Sequence, residues 1–155
     1  MSALATGDPA GSVIALSGGI GGAKLALGLA RILPAGALSV VANTGDDFEH
    51  LGLTISPDID TLVYTLAGLS NTQQGWGREG ETWSFMAALK ALGGPDWFQL
   101  GDGDLAMHAV RSHRLAGGEA LTAITADLTR ALGVDVEILP MADSPVRTKL
   151  ETGGG

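Results

Sequence analysis

Between the short apolar run "SVIAL" (12–16) and a stretch with apolar residues at helical spacing lies "SGGIGG", Ser17–Gly22, with glycine at four of its last five positions. A strand, a glycine loop and a helix at the head of a chain predict a βα unit. That constrains the fold more than any other feature of this sequence. Two familiar ligand modes fail on spacing. The dinucleotide fingerprint, counted from Gly19 and Gly21, needs a third small residue where Lys24 stands. Counted from Gly18, its second glycine falls on Ile20. A P-loop needs Ser or Thr after its lysine, and Lys24 is followed by Leu25. What remains is general physics: glycines let successive N–H groups turn to one spot, and the following helix adds its positive end. That suits a phosphate. The alternative is a tight strand–helix turn with no ligand, although four glycines carry a large chain-entropy cost for a mere turn.

The alternation continues along the chain. Strands are expected over Ser12–Leu16, Leu38–Ala42, Trp97–Leu100 and Val136–Leu139. Helices are expected over Gly22–Ile32 (stopped by Pro34), Asp60–Leu69, Thr82–Leu92, Leu105–Leu115 and Ala120–Leu132. Apolar strands alternating with helices predict an α/β fold, a parallel sheet with helices on both faces. In such a sheet ligands sit beyond the carboxyl ends of the strands. The unusual polar clusters "SGGIGG", "NTGDD", "GDGD" and "MADSP" each follow an expected strand. Their placement predicts one shared site.

Composition narrows the partners. With 155 residues, 45% hydrophobic and 17% charged, the chain reads as one globular domain. Residues 1–11 form an expected flexible arm ahead of a domain over 12–155. No cysteine is present, which excludes disulfides and thiolate chemistry. A net charge of −8 argues against a nucleic-acid surface. An acidic chain that takes phosphates needs local donors or a cation, which points to Mg2+. No apolar stretch approaches the ~20 residues of a membrane span, and the first residues do not make a signal peptide, so a cytoplasmic protein without a membrane partner is expected.

Each cluster has a bland alternative. Asp46 and Asp47 in "NTGDD" bring paired carboxylates to a strand end, or are solvated turn residues. Asp58 in "SPDID" reads as a cap for its own helix. Asp60 reads as an exposed first-turn acid favouring the helix dipole, or as a magnesium ligand with Asp46 or Asp47. Asp104 suits an N-cap, leaving Asp102 facing the strand-end crevice. His108 and Arg111 share one helix face, either as a general base with its neighbour or as structural, anion-contacting residues. Trp76 and Trp83 could stack on a flat ring, with a core position the alternative, favoured for Trp83.

Taken together, "SGGIGGAKLALGL", "VVANTGDDFEHLGLTISPDIDTLVYTLAG", "GWGREGETW", "LGDGDLAMHAVRS" and "LPMADSPVRT" resemble the 2-phospho-L-lactate transferase family of coenzyme F-420 biosynthesis, in order from Val13 to Thr152. The resemblance implies a Rossmann-like transferase. Its deazaflavin alcohol (Fo) attacks the phosphorus bearing a three-carbon acid (phospholactate, phosphoenolpyruvate or phosphoglycerate) in a guanosine diphospho-linked donor, and GMP leaves. It also implies Asp46 or Asp47, together with Asp60, as the magnesium-binding or nucleophile-orienting acids, with Asp60 the catalytic candidate. The Ser17–Gly22 loop would cradle phosphates through Ser17, Gly18, Gly19, Gly21 and Gly22. Asn43, Asp60, Gln99, Asp102, His108 and Arg111 complete the implied substrate-binding set. Asp60 and Gln99 match the positions on the deazaflavin side. Gln99 stands where other members can carry a basic residue, and Gly103 departs from a basic residue within "GDxD".

Members of that family run well beyond "RTKLETGGG", so an N-terminal part of the domain, incomplete at its C-terminus, is expected. Homo-oligomerisation is left open. Two rivals remain: a nucleotide-sugar-binding regulator of a related Rossmann-like family, which shares the glycine loop and paired acids but lacks "SPDIDT", and a nicotinamide-dependent oxidoreductase, weakened by the failed fingerprint.

Overall fold

The computed structural model describes residues 11–71, 73, 77–149 and 151. The arm expected before residue 11, and Trp76, lie outside them. The elements run β1 (Val13–Ser17), α1 (Gly19–Ile32), β2 (Leu38–Ala42), β3 (Phe48–His50), β4 (Leu53–Ile55), α2 (Pro57–Leu66), α3 (Ser84–Ala91), α4 (Asp102–Ala116), α5 (Leu121–Ala131) and β5 (Glu137–Pro140).

β1, β2 and β5 form a parallel sheet in the order β1-β2-β5. Leu16, Val41 and Leu139 stand in one cross-strand row. This is the α/β, Rossmann-like arrangement that the alternation predicts. Strand residues of one parity (Val13, Ala15, Leu38, Val40, Ala42 and Ile138) pack against Ala23 and Ala26 of α1, Ile59, Leu62 and Val63 of α2, and Leu121 of α5. The two alanines let α1 approach the sheet closely. The other parity differs from expectation. Among the described residues the core's helices pack on one face only, and Ile14 and Leu16 on the opposite face are 69% and 79% exposed. The second helical layer expected from the apolar strands is not formed by this stretch of chain.

Two local expectations are corrected. Residues 97–100 form no strand. Trp97 and Phe98 cluster with the rings of Phe48 and His50 at 5.0–6.0 Å, mostly edge to face, while Leu100 is fully buried with Ile55 and Met86. Aromatic packing takes the place of sheet pairing there. Residues 48–55, where no strand is expected, form the hairpin β3–β4, turning through Leu51 and Gly52 at φ 54° and 74°. A two-residue turn with positive φ at both positions normally announces itself as Asn-Gly or Asp-Gly. Leucine at the first position hides it.

Candidate functional site

The loops that follow the three parallel strands adjoin one another. Asn43 N–H donates to Ser17 O (2.9 Å), Met141 N–H to Ala42 O (2.9 Å) and Thr148 N–H to Gly45 O (2.7 Å). "SGGIGG", "NTGDD" and "MADSP" therefore share one edge, as the sequence implies. "GDGD" does not follow a strand; it opens α4, where Asp104 meets Tyr64 of α2.

The glycines divide by role. Gly19 has φ +63°, and a Cβ on Gly22 would overlap Ser17 Oγ, so these two are demanded by the turn and by close packing. A Cβ on Gly21 would meet nothing within 4 Å. Gly21, in the first turn of α1, thus faces open space with ordinary backbone, and no packing contact accounts for it. Ser17 itself is buried, with its hydroxyl unpartnered.

The acids behave unlike their sequence reading. Asp58 does not cap α2: its Oδ1 accepts the Gly19 N–H (2.7 Å) and its Oδ2 accepts Asn43 Nδ2–H (2.8 Å). Asn43 in turn accepts the Gly45 N–H (3.0 Å) and donates to Asp46 (3.2 Å). Asp46 is exposed and Asp47 buried, so these neighbours part company. Asp47 accepts the Ser56 hydroxyl (2.8 Å) on one oxygen and leaves the other unpartnered. Burial raises its pKa from 3.8 to about 6, against the lowering effects of the Ser56 hydrogen bond and of Arg111 and Arg147.

Asp60 is not an exposed dipole acid. It is 5% exposed and bound by both terminal nitrogens of Arg111, which is itself fully buried. Arg111 Nη1 also lies 3.3 Å from His108 Nδ1, while His108 Nε2 sits 3.1 Å from Asp104 Oδ2. Tyr64 donates to Asp104 Oδ1 (2.6 Å). Burial pushes the Asp104 carboxyl up, but the His108 and Tyr64 hydrogen bonds and the Arg111 charge outweigh it, and its pKa is lowered. Burial also opposes the Arg111 charge, yet Asp60 more than compensates and the Arg111 pKa is raised. Burial beside Asp104 and Asp60 pushes the Tyr64 phenol upward. The result is a buried set of polar contacts between α2 and α4, anchored by the Asp60–Arg111 ion pair.

Asp102 does not face the crevice. Its carboxylate accepts from Thr82 Oγ1 (2.6 Å) and from the Ser84 and Phe85 N–H groups (3.2 and 3.0 Å), capping α3. Nor is Asp104 the cap of α4: Glu81 accepts the Gly103 and Asp104 N–H groups at 2.7 and 2.9 Å. Asp143 similarly takes the Thr122 N–H and hydroxyl at the start of α5. Sequence reasoning missed this pattern, since each cap comes from a carboxylate distant in the chain. Gln99 is exposed and donates to Asp96 O within its own loop (2.8 Å). Trp83, expected in the core, is 41% exposed.

The carboxylates of Asp46, Asp47 and Asp60 do not converge as one ligand set. The described group whose ligand atoms lie within 4.8 Å of one another is Asp60, Asp104 and His108. That group suits magnesium poorly, because Arg111 and Tyr64 already hold its oxygens and the third ligand is an imidazole. Asp46, exposed, and Asp47, with one free oxygen, fit the usual pattern of one or two carboxylates completed by substrate phosphates and water. Two cavities flank the edge. One of about 350 Å3 is walled by Thr44, Asp47, Glu49, Asp143 and Arg147. One of about 640 Å3 runs between α1 and α2 from Ile20 and Thr61 past Lys24 and Arg31. No helix among the described residues is long and apolar enough to cross a membrane.

The family model described as "2-phospho-L-lactate transferase CofD" matches residues 13–155. A "Phosphoenolpyruvate transferase" of Kitasatospora aureofaciens is 47% identical over 138 residues, covering 88% of this chain and 43% of the relative. Another of that name from Streptomyces griseus is 45% identical over 145 residues, covering 92% and 46%. A "2-phospho-L-lactate transferase" of Methanospirillum hungatei is 42% identical over 140 residues, covering 90% and 47%. The chain spans less than half the length of these curated relatives.

Proposed function

The chain belongs to the 2-phospho-L-lactate transferase CofD family, and from that premise we propose that it supplies the phosphate-binding part of a transferase. The substrates are a guanosine diphospho-linked three-carbon acid and a deazaflavin alcohol. The observation that carries this reading is the meeting of three strand-end loops at one edge, where Gly21 is open, Asp46 is exposed and Asp47 keeps an unpartnered oxygen. Relatives named for phosphoenolpyruvate and for phospholactate both match at similar identity, so the acid is a three-carbon phosphoacid of that class.

In the reaction, the terminal hydroxyl of the alcohol forms a new bond to the phosphorus bearing the acid. The bond from that phosphorus to the GMP phosphate oxygen breaks, GMP leaves, and the hydroxyl proton passes to solvent water. The glycine-loop N–H groups and the N-terminus of α1 orient the diphosphate. Magnesium, held by Asp46 and Asp47, would neutralise charge on the diphosphate. Asp60 orients the attacking hydroxyl only when Arg111 releases one of its oxygens. Arg111 therefore holds Asp60 shut in the arrangement seen and prevents it from acting as a free base.

Calorimetric titration of GDP, with magnesium and then with a chelator, tests the reading. Binding should strengthen with magnesium, because an acidic edge accepts a diphosphate better through a cation. Equal affinities would remove the metal from the proposal, and absence of GDP binding in both arms would remove the nucleotide site.

A further inference from the structure

The helix whose N-terminus would face the diphosphate has no cap of its own. Gly18 at its N-cap makes no side-chain cap hydrogen bond, and the first turn of α1 holds no acid. Asp58, 39 residues further along the chain, supplies the acceptor. The same carboxylate holds Asn43, and Asn43 holds the Gly45 N–H and Asp46. One side chain thus ties the loop after β1 to the loop after β2. Asp58 is 8% exposed, and each of its oxygens accepts a hydrogen bond from one of the two loops. The fit is close: a Cβ on Gly18 would lie 3.3 Å from Asp58 Oδ2 and 3.6 Å from Asn43 Cβ.

We propose that Asp58 is a positioning residue. Through Gly19 and Asn43 it sets the glycine loop against the "NTGDD" loop in the arrangement that accepts the diphosphate. The inference rests on the nucleotide site proposed above. Its sign separates it from plain electrostatics. A bystander carboxylate beside a bound diphosphate would repel it, and removing the charge would strengthen binding. A positioning carboxylate does the opposite when neutralised.

Asp58→Asn keeps the shape and the Gly19 contact, because the amide oxygen still accepts. Its new NH2 then faces the NH2 of Asn43, donor against donor. Asn43 must turn away, and its oxygen leaves the Gly45 N–H. The exchange Asn43→Asp with Asp58→Asn restores both links: the carboxylate now at position 43 accepts from Gly45 N–H and from the amide at position 58. Net charge equals that of the parent. The exposed contact to Asp46 becomes one between two carboxylates, which solvent screens.

The experiment compares the parent chain, Asp58→Asn and the exchanged pair by GDP titration in magnesium, with the Gly45 amide signal followed by NMR. Asp58→Asn should weaken GDP binding about tenfold, the scale of one hydrogen bond to a charged group, and shift the Gly45 signal. The exchanged pair should recover most of that affinity and the parent signal position. Unchanged or tighter binding in Asp58→Asn overturns the inference, as does an exchanged pair no better than the single variant. A parent chain that binds no GDP overturns the nucleotide site and the inference built on it. Normal parent binding with an undisturbed Gly45 signal in Asp58→Asn overturns the inference alone.

Discussion

Asp58 and Asp60 stand two positions apart in "SPDID", yet they serve two regions built on different physics. Asp58 looks toward the glycine loop and meets neutral donors, one backbone N–H and one amide. Asp60 looks toward α4 and meets a buried guanidinium, in a chain of charges that continues through His108 to Asp104. Residues two apart on a helix point about 200° away from each other, so a single motif serves both sides of α2. The first region holds a loop in place by hydrogen bonds at a solvent edge. The second balances charges with almost no solvent. The same residue type therefore carries different energetic stakes at the two positions.

The largest expected effect is in the buried region. Asp60→Asn leaves Arg111 without its counter-charge and should destabilise the fold by about 3–5 kcal/mol, the cost of stranding one member of a buried pair. Urea unfolding measures it. This replaces the expectation that Asp60 is an exposed acid whose loss spares the fold. A loss below about 1 kcal/mol, the range of exposed pairs, would return Asp60 to the surface class and erase the contrast with Asp58.

Next comes Asp47, where burial raises the pKa from 3.8 to about 6. A raised carboxyl pKa means that the folded state prefers the protonated acid. Stability is fully present below the ordinary value and is lost as pH rises through about 6. Keeping Asp47 ionised at pH 7.5 then costs at most about 3 kcal/mol, since each tenfold change in proton affinity is worth about 1.4 kcal/mol. In the presence of chelator, Asp47→Asn should raise the melting temperature at pH 7.5 and lose that advantage below pH 4. A pH-independent difference between parent and variant would overturn the assignment.

The glycine loop sharpens the comparison from the other side. Gly22→Ala drives a methyl into Ser17 and should cost about 1–3 kcal/mol, as overpacking does. Gly21→Ala meets open space in the first turn of α1, so its stability should stay level or rise by up to about 1 kcal/mol, while on the proposed diphosphate site GDP affinity should fall. Equal stability losses at both positions would mean that Gly21 is a packing glycine after all.

The smallest effect lies at the distant caps. Hydrogen bonds from the Thr122 backbone and hydroxyl hold the Asp143 carboxyl below its ordinary range. Its contribution is present at neutral pH and lost as pH falls through the lowered value. Asp143→Asn should lower the melting temperature slightly at pH 7, and the gap should close in acid. A gap that widens on acidification would refute the capping role.

Much of the fold was legible in the residues. Ser12–Leu16, Leu38–Ala42 and Val136–Leu139 lie close to β1, β2 and β5, and among the described residues five helices form where five are expected, with ends shifted by a few residues. α1 and α4 begin three residues earlier than expected, since their first turns are capped by side chains far away in sequence, and α2 begins three residues earlier on Pro57, which suits a first helical position. Residues 97–100 misled because an aromatic, apolar run serves a ring cluster as readily as a strand. The hairpin at Leu51 and Gly52 misled because leucine rarely takes a positive φ.

Sequence alone determined the strand–glycine–helix unit, the parallel sheet, the meeting of three loops at the strand ends, and the family that these motifs carry. These are local or topological facts: period, spacing and turn chemistry act within a few residues and survive any tertiary arrangement. Only the tertiary structure decided which acid serves which task. Asp58, Asp102, Glu81 and Asp143 each satisfy N–H groups of another element, and Asp60 is closed by Arg111 51 residues away. A carboxylate's role depends on the donors and on the solvent that reach it, and both are set by packing between segments distant in the chain.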